Sequence, residues 1–281
     1  MIVTVKQVPD THNISGEAMK PDGTVNRAAL PAVFNPEDLN ALELALDLRE
    51  RLGGSVIALT MGPPAATAIL RECLYRGADD AILLSDRAFA GSDTLATSLV
   101  LAGAIATVER FDLVVCGRQA IDGDTAQVGP QIAEKLAINQ ITCVSGIEAA
   151  SDDTLTVKRS VENGYQVVES GFPLLLTVTA EANFPRFANA RRVMKYKGIR
   201  TQEGKGPFPA EKERDGIRHM RAWNAATVGI SPDRCGIKGS PTKVKRVESV
   251  VLTEQETLRI PESEKGVRDL IRKLIRENII G

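Results

Sequence analysis

The sequence predicts an α/β fold in which a doubly wound, mostly parallel sheet carries helices on both faces. Over roughly the first half of the chain, short apolar runs alternate with segments of ten to fifteen residues that have helical periodicity. Glycine and proline separate many of these segments. Such alternation is typical of parallel sheets with crossover helices. Farther along, Glu162-Asn163-Gly164 lies between two alternating segments, which predicts an antiparallel β-hairpin added to the sheet.

Individual elements follow from local signals. Asn35 as N-cap, Pro36 at the first helical position, and Glu37 and Asp38 in the first turn predict a helix start. Residues 6–11 read as a turn and residues 12–34 as a polar segment with room for a surface hairpin. The predicted strands are 2–5, 55–61, 81–84, 112–116, 155–159, 165–169 and 172–179, and the predicted helices are 36–53, a segment ending near Gly77, 94–108, one beginning near residue 125, and 261–280.

Composition narrows the classes of function. The 281 residues carry a net charge of −1, which argues against a nucleic-acid or membrane-surface partner. No stretch reaches the ~18 apolar residues of a membrane span. The start of the chain lacks a signal-peptide pattern, and the four cysteines form no CxxC, so we expect a reducing, cytoplasmic setting with Cys116 and Cys143 as buried thiols. His12 and His219 have no partner at metal-ligand spacing, so we expect no metal site.

Residues 117–130 form the most informative stretch. They follow the apolar run 113–116 and precede a helical pattern, so they make a strand-to-helix turn at the ligand-binding edge of a parallel sheet. The free N–H groups of the helix start would accept a nucleotide phosphate, and Gly123 would let the backbone approach closely. The alternative is an ordinary turn with Asp124 or Thr125 as N-cap.

The chain divides into two predicted parts. Residues 1–200 form a nucleotide-binding α/β domain, and residues 201–281 form an extended arm with a C-terminal helix. That helix carries Val267, Leu270, Ile271, Leu274 and Ile275 on one face, which could pack on this chain's own core or on another subunit. The predicted arm before the helix favours another subunit. Residues 186–205 hold seven basic residues and one acidic residue. This is either a surface for an acidic partner or a phosphate ligand, or a solvated charged face.

Taken together, these motifs resemble the beta subunit of electron-transfer flavoproteins. The matching features are residues 5–11, Asn35-Pro36, residues 117–125 with Gln127 and Gly129, and the series 157–159, 162–164, 172–177 and 183–187. Residues 7–11 and 239–244 are similar to the bacterial group that includes electron-bifurcating members.

The resemblance implies an adenine-nucleotide alpha-hydrolase-like fold and an electron carrier with no catalytic residue of its own. An alpha subunit would hold FAD at a shared interface, and electrons would pass between flavin dehydrogenases, of acyl-CoA type, and a downstream oxidoreductase. This chain would bind AMP as a structural ligand; the alternative is a second FAD that oxidises NADH. The implied nucleotide-binding residues are Thr4, Lys6, Asn35, Pro36, Glu37, Asp38, Met61, Asp122, Gly123, Asp124, Thr125, Ala126, Gln127, Val128, Gly129, Gln131 and Ile132.

The resemblance also implies a partner-docking loop near residues 184–197, built from Ala190, Arg191, Arg192, Val193 and Met194. Family members insert an apolar anchor there, usually leucine, whereas this chain has Ala190. The smaller side chain would weaken that contact by roughly 1–3 kcal/mol.

Two other functions compete with electron transfer. One is a nucleotide hydrolase, but the sequence lacks a glycine-rich phosphate loop after strand one. The other is a non-redox nucleotide-sensing module.

Overall fold

A computed structural model describes residues 1–10, 31–108, 110–203, 219–242, 259–277 and 279–280. The strands are β1 (Ile2–Thr4), β2 (Gln7–Pro9), β3 (Ala32–Phe34), β4 (Ile57–Met61), β5 (Asp80–Leu84), β6 (Leu113–Gly117), β7 (Asn139–Ala150), β8 (Thr154–Val161), β9 (Gly164–Gly171), β10 (Leu174–Val178), β11 (Arg200–Glu203) and β12 (His219–Trp223). The helices are α1 (Pro36–Leu52), α2 (Thr67–Arg76), α3 (Thr94–Thr107), α4 (Val128–Leu136), α5 (Ala190–Tyr196), α6 (Gly236–Gly239) and α7 (Glu264–Arg276).

The described strands build a ten-stranded sheet in the order β11-β12-β5-β4-β1-β6-β10-β7-β8-β9. All neighbours from β11 to β7 are parallel, and β7, β8 and β9 form an antiparallel meander at one end. Because β1 pairs with β4 on one side and with β6 on the other, the winding reverses between β1 and β6. Ligands bind at such a switch point, outside the carboxyl ends of the strands.

Helices cover both faces of the sheet, which confirms the predicted α/β architecture. On one face α1 and α2 pack over Val3, Ala58 and Val115. On the other face α3 and α4 pack over Ile2, Leu59 and Val114. Successive residues of a strand therefore belong to different cores, as expected for a parallel sheet buried on both sides.

Several sequence predictions hold and others fail. The start and end of α1, the start and end of α3, the end of α2 and the hairpin between β8 and β9 are confirmed. Residues 6–11 are not simply a turn, because β2 pairs antiparallel with β3. The hairpin expected over residues 12–34 falls mostly outside the described residues. Strand β7 has no counterpart in the sequence prediction.

The predicted boundary at residue 200 is wrong, because β12 lies in the main sheet parallel to β5 and β11 pairs with β12. Met220 and Trp223 are buried in the two cores. Arg221 is also buried and forms an ion pair with Asp80 on β5. A charged residue in the middle of a five-residue strand hides the strand pattern, and its partner is 141 positions away.

Helix α7 keeps its apolar stripe facing outward. Val267, Ile271 and Ile275 are each about half exposed. No helix among the described residues is both long and apolar enough to span a membrane. The four cysteines are free, and Cys143 is partly exposed rather than buried as expected.

Candidate functional site

A cavity of ≈ 660 Å³ opens at the switch point between β1 and β6. Most of its walls come from the carboxyl ends of four neighbouring strands: residues 4–6 at the end of β1, 61–64 at the end of β4, 85–87 and 89–94 after β5, and 116–120 and 123–129 at the end of β6. Asp38, Thr97 and Leu101 complete the lining. Small-molecule sites have volumes of roughly 300–1,000 Å³, so the cavity is large enough for a nucleotide. We call residues 118–127 the β6 loop and residues 85–93 the β5 loop.

The β6 loop delivers unpaired backbone donors to the cavity. Helix α4 begins at Val128, three residues later than predicted, and its N-cap Gln127 makes no side-chain cap hydrogen bond. Asp124 and Ala126 have left-handed φ values of 49° and 52°, which is uncommon for residues other than glycine. A left-handed residue followed by right-handed Gln127 turns successive N–H groups toward one point, a geometry that binds anions. The N–H groups of residues 125–129 donate to no described residue.

The start of α1 holds the β6 loop in place. The Asn35 side chain donates to the Gln119 carbonyl at 2.9 Å and accepts from the Ile121 N–H at 3.1 Å, instead of capping its own helix. The Glu37 carboxylate accepts from the Gln119 N–H at 3.0 Å and pairs with Arg118. Asn35 is fully buried. Of the four residues predicted to bind nucleotide at this helix start, Asn35 and Glu37 hold the loop, and Asp38 alone reaches the cavity lining.

Asp38 lies where α1 meets β6. A Cβ atom on Gly117 would lie 2.3 Å from the Asp38 carboxylate, so glycine is required for this close approach. Asp38 accepts the Lys6 N–H at 2.8 Å. Burial raises the pKa of Asp38 to about 7, against hydrogen bonds from the Asn35 side chain and from the N–H groups of Lys6 and Gly117, which act to lower it. Burial also raises the pKa of the neighbouring Cys116 thiol to about 12, so this thiol stays protonated at neutral pH.

The two aspartates of the β6 loop face other side chains. Asp122 pairs with the Lys6 ammonium at 2.6 Å, and Asp124 accepts from the Gln119 side chain at 3.1 Å. Neither carboxylate caps α4. The alternative in which Asp124 or Thr125 is the N-cap is therefore wrong, and no described side chain caps the start of α4.

The β5 loop shows the opposite arrangement. Asp86 accepts from the Ala88 N–H and Asp93 from the Ala96 N–H, so a carboxylate caps each helical turn that begins there. This end of the cavity presents the Asp86 and Asp93 carboxylates and the exposed Arg87 side chain, together with Ser85, Ser92 and Phe89. Because the two carboxylates already accept from the N–H groups of the turns that follow, this end offers a ligand hydroxyl groups and an aromatic ring instead of an uncapped helix start.

The structure brings most of the predicted nucleotide-binding residues to one cavity. Those in its lining are Thr4, Lys6, Asp38, Met61, Gly123, Asp124, Thr125, Ala126, Gln127, Val128 and Gly129. Those outside the lining are Asn35, Pro36, Glu37, Asp122, Gln131 and Ile132. Ile132 is fully buried in the core under α4, and the Gln131 side chain accepts from Ser98 on α3. At Gly123 an added Cβ would meet no protein atom within 4 Å, so protein packing does not require glycine there.

Sequence reasoning missed the β5 loop as a wall of the cavity. Ser85 and Asp86 follow a buried strand at the same sheet edge, which is the signal that could have identified them. The described residues contain no group of three His, Cys, Asp or Glu side chains that could hold a metal ion.

The predicted docking segment lies away from the cavity, against α1 and α2. Arg186 pairs with Glu43 and Glu50 of α1, and this fixes the chain between two almost fully exposed phenylalanines, Phe184 (97 %) and Phe187 (92 %). Arg192 donates to the Leu74 and Ala78 carbonyls at the end of α2, so its side chain is engaged within the domain.

The remaining predicted docking residues divide by orientation. Ala190, Arg191 and Met194 are exposed, whereas Val193 is half buried. Phe184 and Phe187 lie within the predicted loop at 184–197 but were not among its named docking residues, although two aromatic residues around a Pro-Arg step are visible in the sequence.

Comparisons with known proteins agree with this architecture. The family model of the electron transfer flavoprotein domain matches residues 22–206. The chain is 44% identical over 246 residues to an electron transfer flavoprotein subunit beta of Clostridium acetobutylicum, covering 88% of this chain and 86% of that one. It is 44% identical over 248 residues to the caffeyl-CoA reductase-Etf complex subunit CarD of Acetobacterium woodii, with the same coverages, and 42% identical over 286 residues to protein FixA of Rhizobium meliloti, covering 98% and 89%. The chain therefore belongs to the electron transfer flavoprotein family, as a relative of its beta subunits.

Proposed function

We propose that this chain is the beta subunit of a heterodimeric electron-transfer flavoprotein and binds AMP in the cavity between β1 and β6. The heterodimer carries electrons between flavin dehydrogenases, of acyl-CoA type, and a downstream oxidoreductase. An alpha subunit holds FAD, and this chain contributes to the FAD site at the subunit interface. The bound FAD supplies the redox chemistry, while AMP has a structural role.

The observation that carries the AMP assignment is the uncapped start of α4 at one end of the cavity. The N–H groups of residues 125–129 find no acceptor among the described residues, and the helix dipole favours negative charge at this point. A phosphate here would satisfy donors that otherwise need water. Asp38 and Met61 line the cavity nearby and would contact the nucleoside.

A second candidate is a second FAD in the same cavity, as in electron-bifurcating flavoproteins that oxidise NADH. The observation in its favour is the reach of the cavity beyond the β6 loop to the β5 loop. That second end offers Ser85, Ser92 and Thr94 hydroxyl groups and the Phe89 ring, which would suit the hydroxyl chain and ring system of a flavin. The similarity to a caffeyl-CoA reductase-Etf complex subunit also agrees with this candidate.

One measurement separates the candidates. The purified complex of this chain with its alpha subunit is denatured, and the released nucleotides are identified and counted. One FAD and one AMP per heterodimer supports the proposal, and two FAD supports the second candidate. A colourless complex that binds adenine nucleotide favours a sensing module, and ATP turnover without flavin favours a hydrolase; either result overturns the proposal.

The exposed face of α7 is where we place the alpha subunit. Val267, Ile271 and Ile275 leave a continuous apolar stripe uncovered, and Leu270 and Leu274 extend it. Stripes of this kind mark protein interfaces. Helix α7 would then pack on the partner, while strand β12 remains in this chain's own sheet.

We place the dehydrogenase on the surface formed by Phe184, Phe187, Ala190, Arg191 and Met194. Residues 184–200 contain six basic and no acidic residues, so the partner surface would be an apolar pocket bordered by carboxylates. Aromatic and arginine side chains dominate binding energy at protein interfaces. Phe184 and Phe187 would supply the apolar area that Ala190 does not.

Binding of the cognate dehydrogenase to the heterodimer tests this surface. We expect Phe187→Ala and Arg191→Glu each to weaken binding about tenfold or more, because a buried anchor is worth more than about 1.4 kcal/mol. Lys135→Glu, on the opposite face of the sheet, is the control with the same change of charge. Arg192→Glu is unsuitable, since Arg192 holds α2. Equal affinities for Arg191→Glu and the control, together with an unaffected Phe187→Ala, would remove this surface from consideration.

A further inference from the structure

We infer that residues 235–242, which we call the clasp, are a positioning element of the nucleotide site, although they lie outside its lining. The clasp contains α6 and packs on the β5 loop from the side away from the cavity. The inference rests on the proposed function, namely that the cavity binds an adenine nucleotide. It identifies Gly236 and Ser240 as residues that determine nucleotide affinity without touching the nucleotide.

Hydrogen bonds donated by backbone N–H groups tie the clasp to the β5 loop along its length. The Gly236 N–H donates to the Ser92 hydroxyl at 2.9 Å, and the Ile237 N–H donates to the Ala90 carbonyl at 3.2 Å. The Asp93 N–H donates to the Ser240 hydroxyl at 2.8 Å. In return, the Thr242 N–H donates to the Asp93 carboxylate at 3.0 Å, and this carboxylate also caps α3.

Close packing accompanies these bonds. Gly236 has a left-handed φ of 61°, and a Cβ atom there would lie 2.1 Å from the Ala88 carbonyl oxygen. A Cβ atom on Gly91 would lie 2.5 Å from Ile237. Ser240 is only 5 % exposed. The two segments therefore fit together without room for one additional carbon atom at these points.

The β5 loop depends on this contact for its shape. Apart from one short 3₁₀ turn at Arg87–Phe89, the loop has no regular structure of its own. The clasp accepts or donates at residues 90, 92 and 93, and all three line the cavity. If the clasp is displaced, these lining residues lose the partners that fix them. By thermodynamic linkage, a nucleotide that holds the β5 loop also holds the clasp in place.

The sequence offers a matched pair of variants. Gly236→Ala puts a methyl group against the β5 loop. Gly229→Ala makes the same change at the same kind of left-handed position, with φ of 69°, but an added Cβ there meets nothing within 4 Å. Both variants place alanine at a similar left-handed φ, so a large difference between them reports the contact with the β5 loop.

The experiment measures AMP binding by calorimetry to the purified heterodimer after its bound nucleotide has been removed. We expect Gly236→Ala to weaken AMP binding at least tenfold and Gly229→Ala to change it less than twofold. Ser240→Ala, which adds no volume and leaves the Asp93 N–H without its acceptor, is expected to weaken binding about fivefold. It carries the test if Gly236→Ala does not fold. Amide hydrogen exchange in residues 86–94 should speed up in Gly236→Ala and Ser240→Ala and stay unchanged in Gly229→Ala.

The outcomes separate this inference from the proposed function. AMP binding that is the same in the unaltered heterodimer, Gly236→Ala and Ser240→Ala would overturn the role of the clasp while leaving the AMP site intact. Equal losses in the two glycine variants, with no loss in Ser240→Ala, would assign the effect to backbone strain and also overturn it. An unaltered heterodimer that binds no AMP would overturn the proposed AMP site itself, and the inference with it.

Discussion

The β6 loop and the β5 loop leave the same edge of the same sheet and lead into helices, yet they offer opposite chemistry to the cavity between them. In the β5 loop, Asp86 and Asp93 occupy the N–H groups of the turns that follow. In the β6 loop, Asp122 and Asp124 are held by Lys6 and Gln119, and the N–H groups at the start of α4 find no acceptor in the part of the chain that the structure describes. The direction of the carboxylates, rather than their number, decides which end of the cavity can accept an anion.

The largest expected effect concerns the carboxyl group beside the β6 loop. The pKa of Asp38 is about 7 in the folded protein against an ordinary value of 3.8, so between these pH values the folded state holds a proton that the unfolded state has lost. The free energy of unfolding then falls by roughly 1.4 kcal/mol for each pH unit up to about 7, and levels off above it. Asp38→Asn removes this slope. From pH 5 to pH 8 its stability should rise relative to wild type by roughly 2–3 kcal/mol, measured by urea denaturation.

Asp93 provides the control for that experiment. Burial acts to raise the pKa of Asp93, but hydrogen bonds from Ala96, Thr242 and Leu95 hold this pKa below its usual value. The contribution of the ionised Asp93 carboxylate to stability is therefore lost only as the pH falls below the ordinary pKa range of aspartate. Between pH 5 and pH 8 the stability of Asp93→Asn should run parallel to that of wild type. A parallel course for Asp38→Asn as well would contradict the assignment of the slope to Asp38.

The next effect comes from giving the β6 loop the capping chemistry of the β5 loop. In Gln127→Asp, a carboxylate at the N-cap of α4 would accept the free N–H groups and repel a phosphate. We expect AMP affinity to fall about 30-fold, which is roughly 2 kcal/mol, while the helix gains up to about 1 kcal/mol of stability. Calorimetric titration and thermal unfolding measure the two changes.

Gln127→Asn separates charge from capping in this experiment. It also caps the helix and also removes the contact with Thr94, but it carries no charge. A smaller loss of AMP affinity in Gln127→Asn than in Gln127→Asp is expected. Unchanged affinity in both variants would show that the phosphate does not bind at the start of α4.

The smallest effect concerns the ion pair between Lys6 and Asp122, whose side chains are 48 % and 14 % exposed. Pairs near the surface contribute little, so Asp122→Asn should change the free energy of unfolding by less than about 1 kcal/mol. Freed from its partner, the Lys6 ammonium lines the cavity and should tighten AMP binding about two- to threefold. Asp47→Asn, which breaks a comparable pair with Arg51 on α1, should leave AMP affinity unchanged. Weaker AMP binding in Asp122→Asn would assign the carboxylate to the nucleotide instead.

Local signals in the sequence were enough for the elements whose ends are set by their own residues. The Asn-Pro start of α1, the glycine end of α2 and the turn at residues 162–164 are examples. Strand β7 escaped prediction because its pairing is irregular near Val144 and Cys143 has a left-handed φ of 58°, which breaks the alternation. The start of α4 was misplaced because two left-handed residues other than glycine delay it.

The site itself was predictable where its residues follow one another and unpredictable where distant segments meet. The lining contributed by residues 123–129 lies on one continuous turn, so a motif identifies it. The role of Asn35 as a tie to Gln119 and Ile121 depends on contacts about 85 positions away. The β5 loop acquires its wall position from a clasp almost 150 positions further along. Such contacts produce no periodic pattern in the sequence of either segment.

The outward-facing apolar stripe of α7 also bears on how cells must make this protein. If this chain is synthesised in excess of the protein that covers the stripe, the exposed hydrophobic surface would promote aggregation and proteolysis. Balanced synthesis with the covering protein would keep the excess small. The yield and solubility of this chain should therefore improve when it is produced together with the protein that covers α7. A shortage of that protein would shorten the lifetime of this chain.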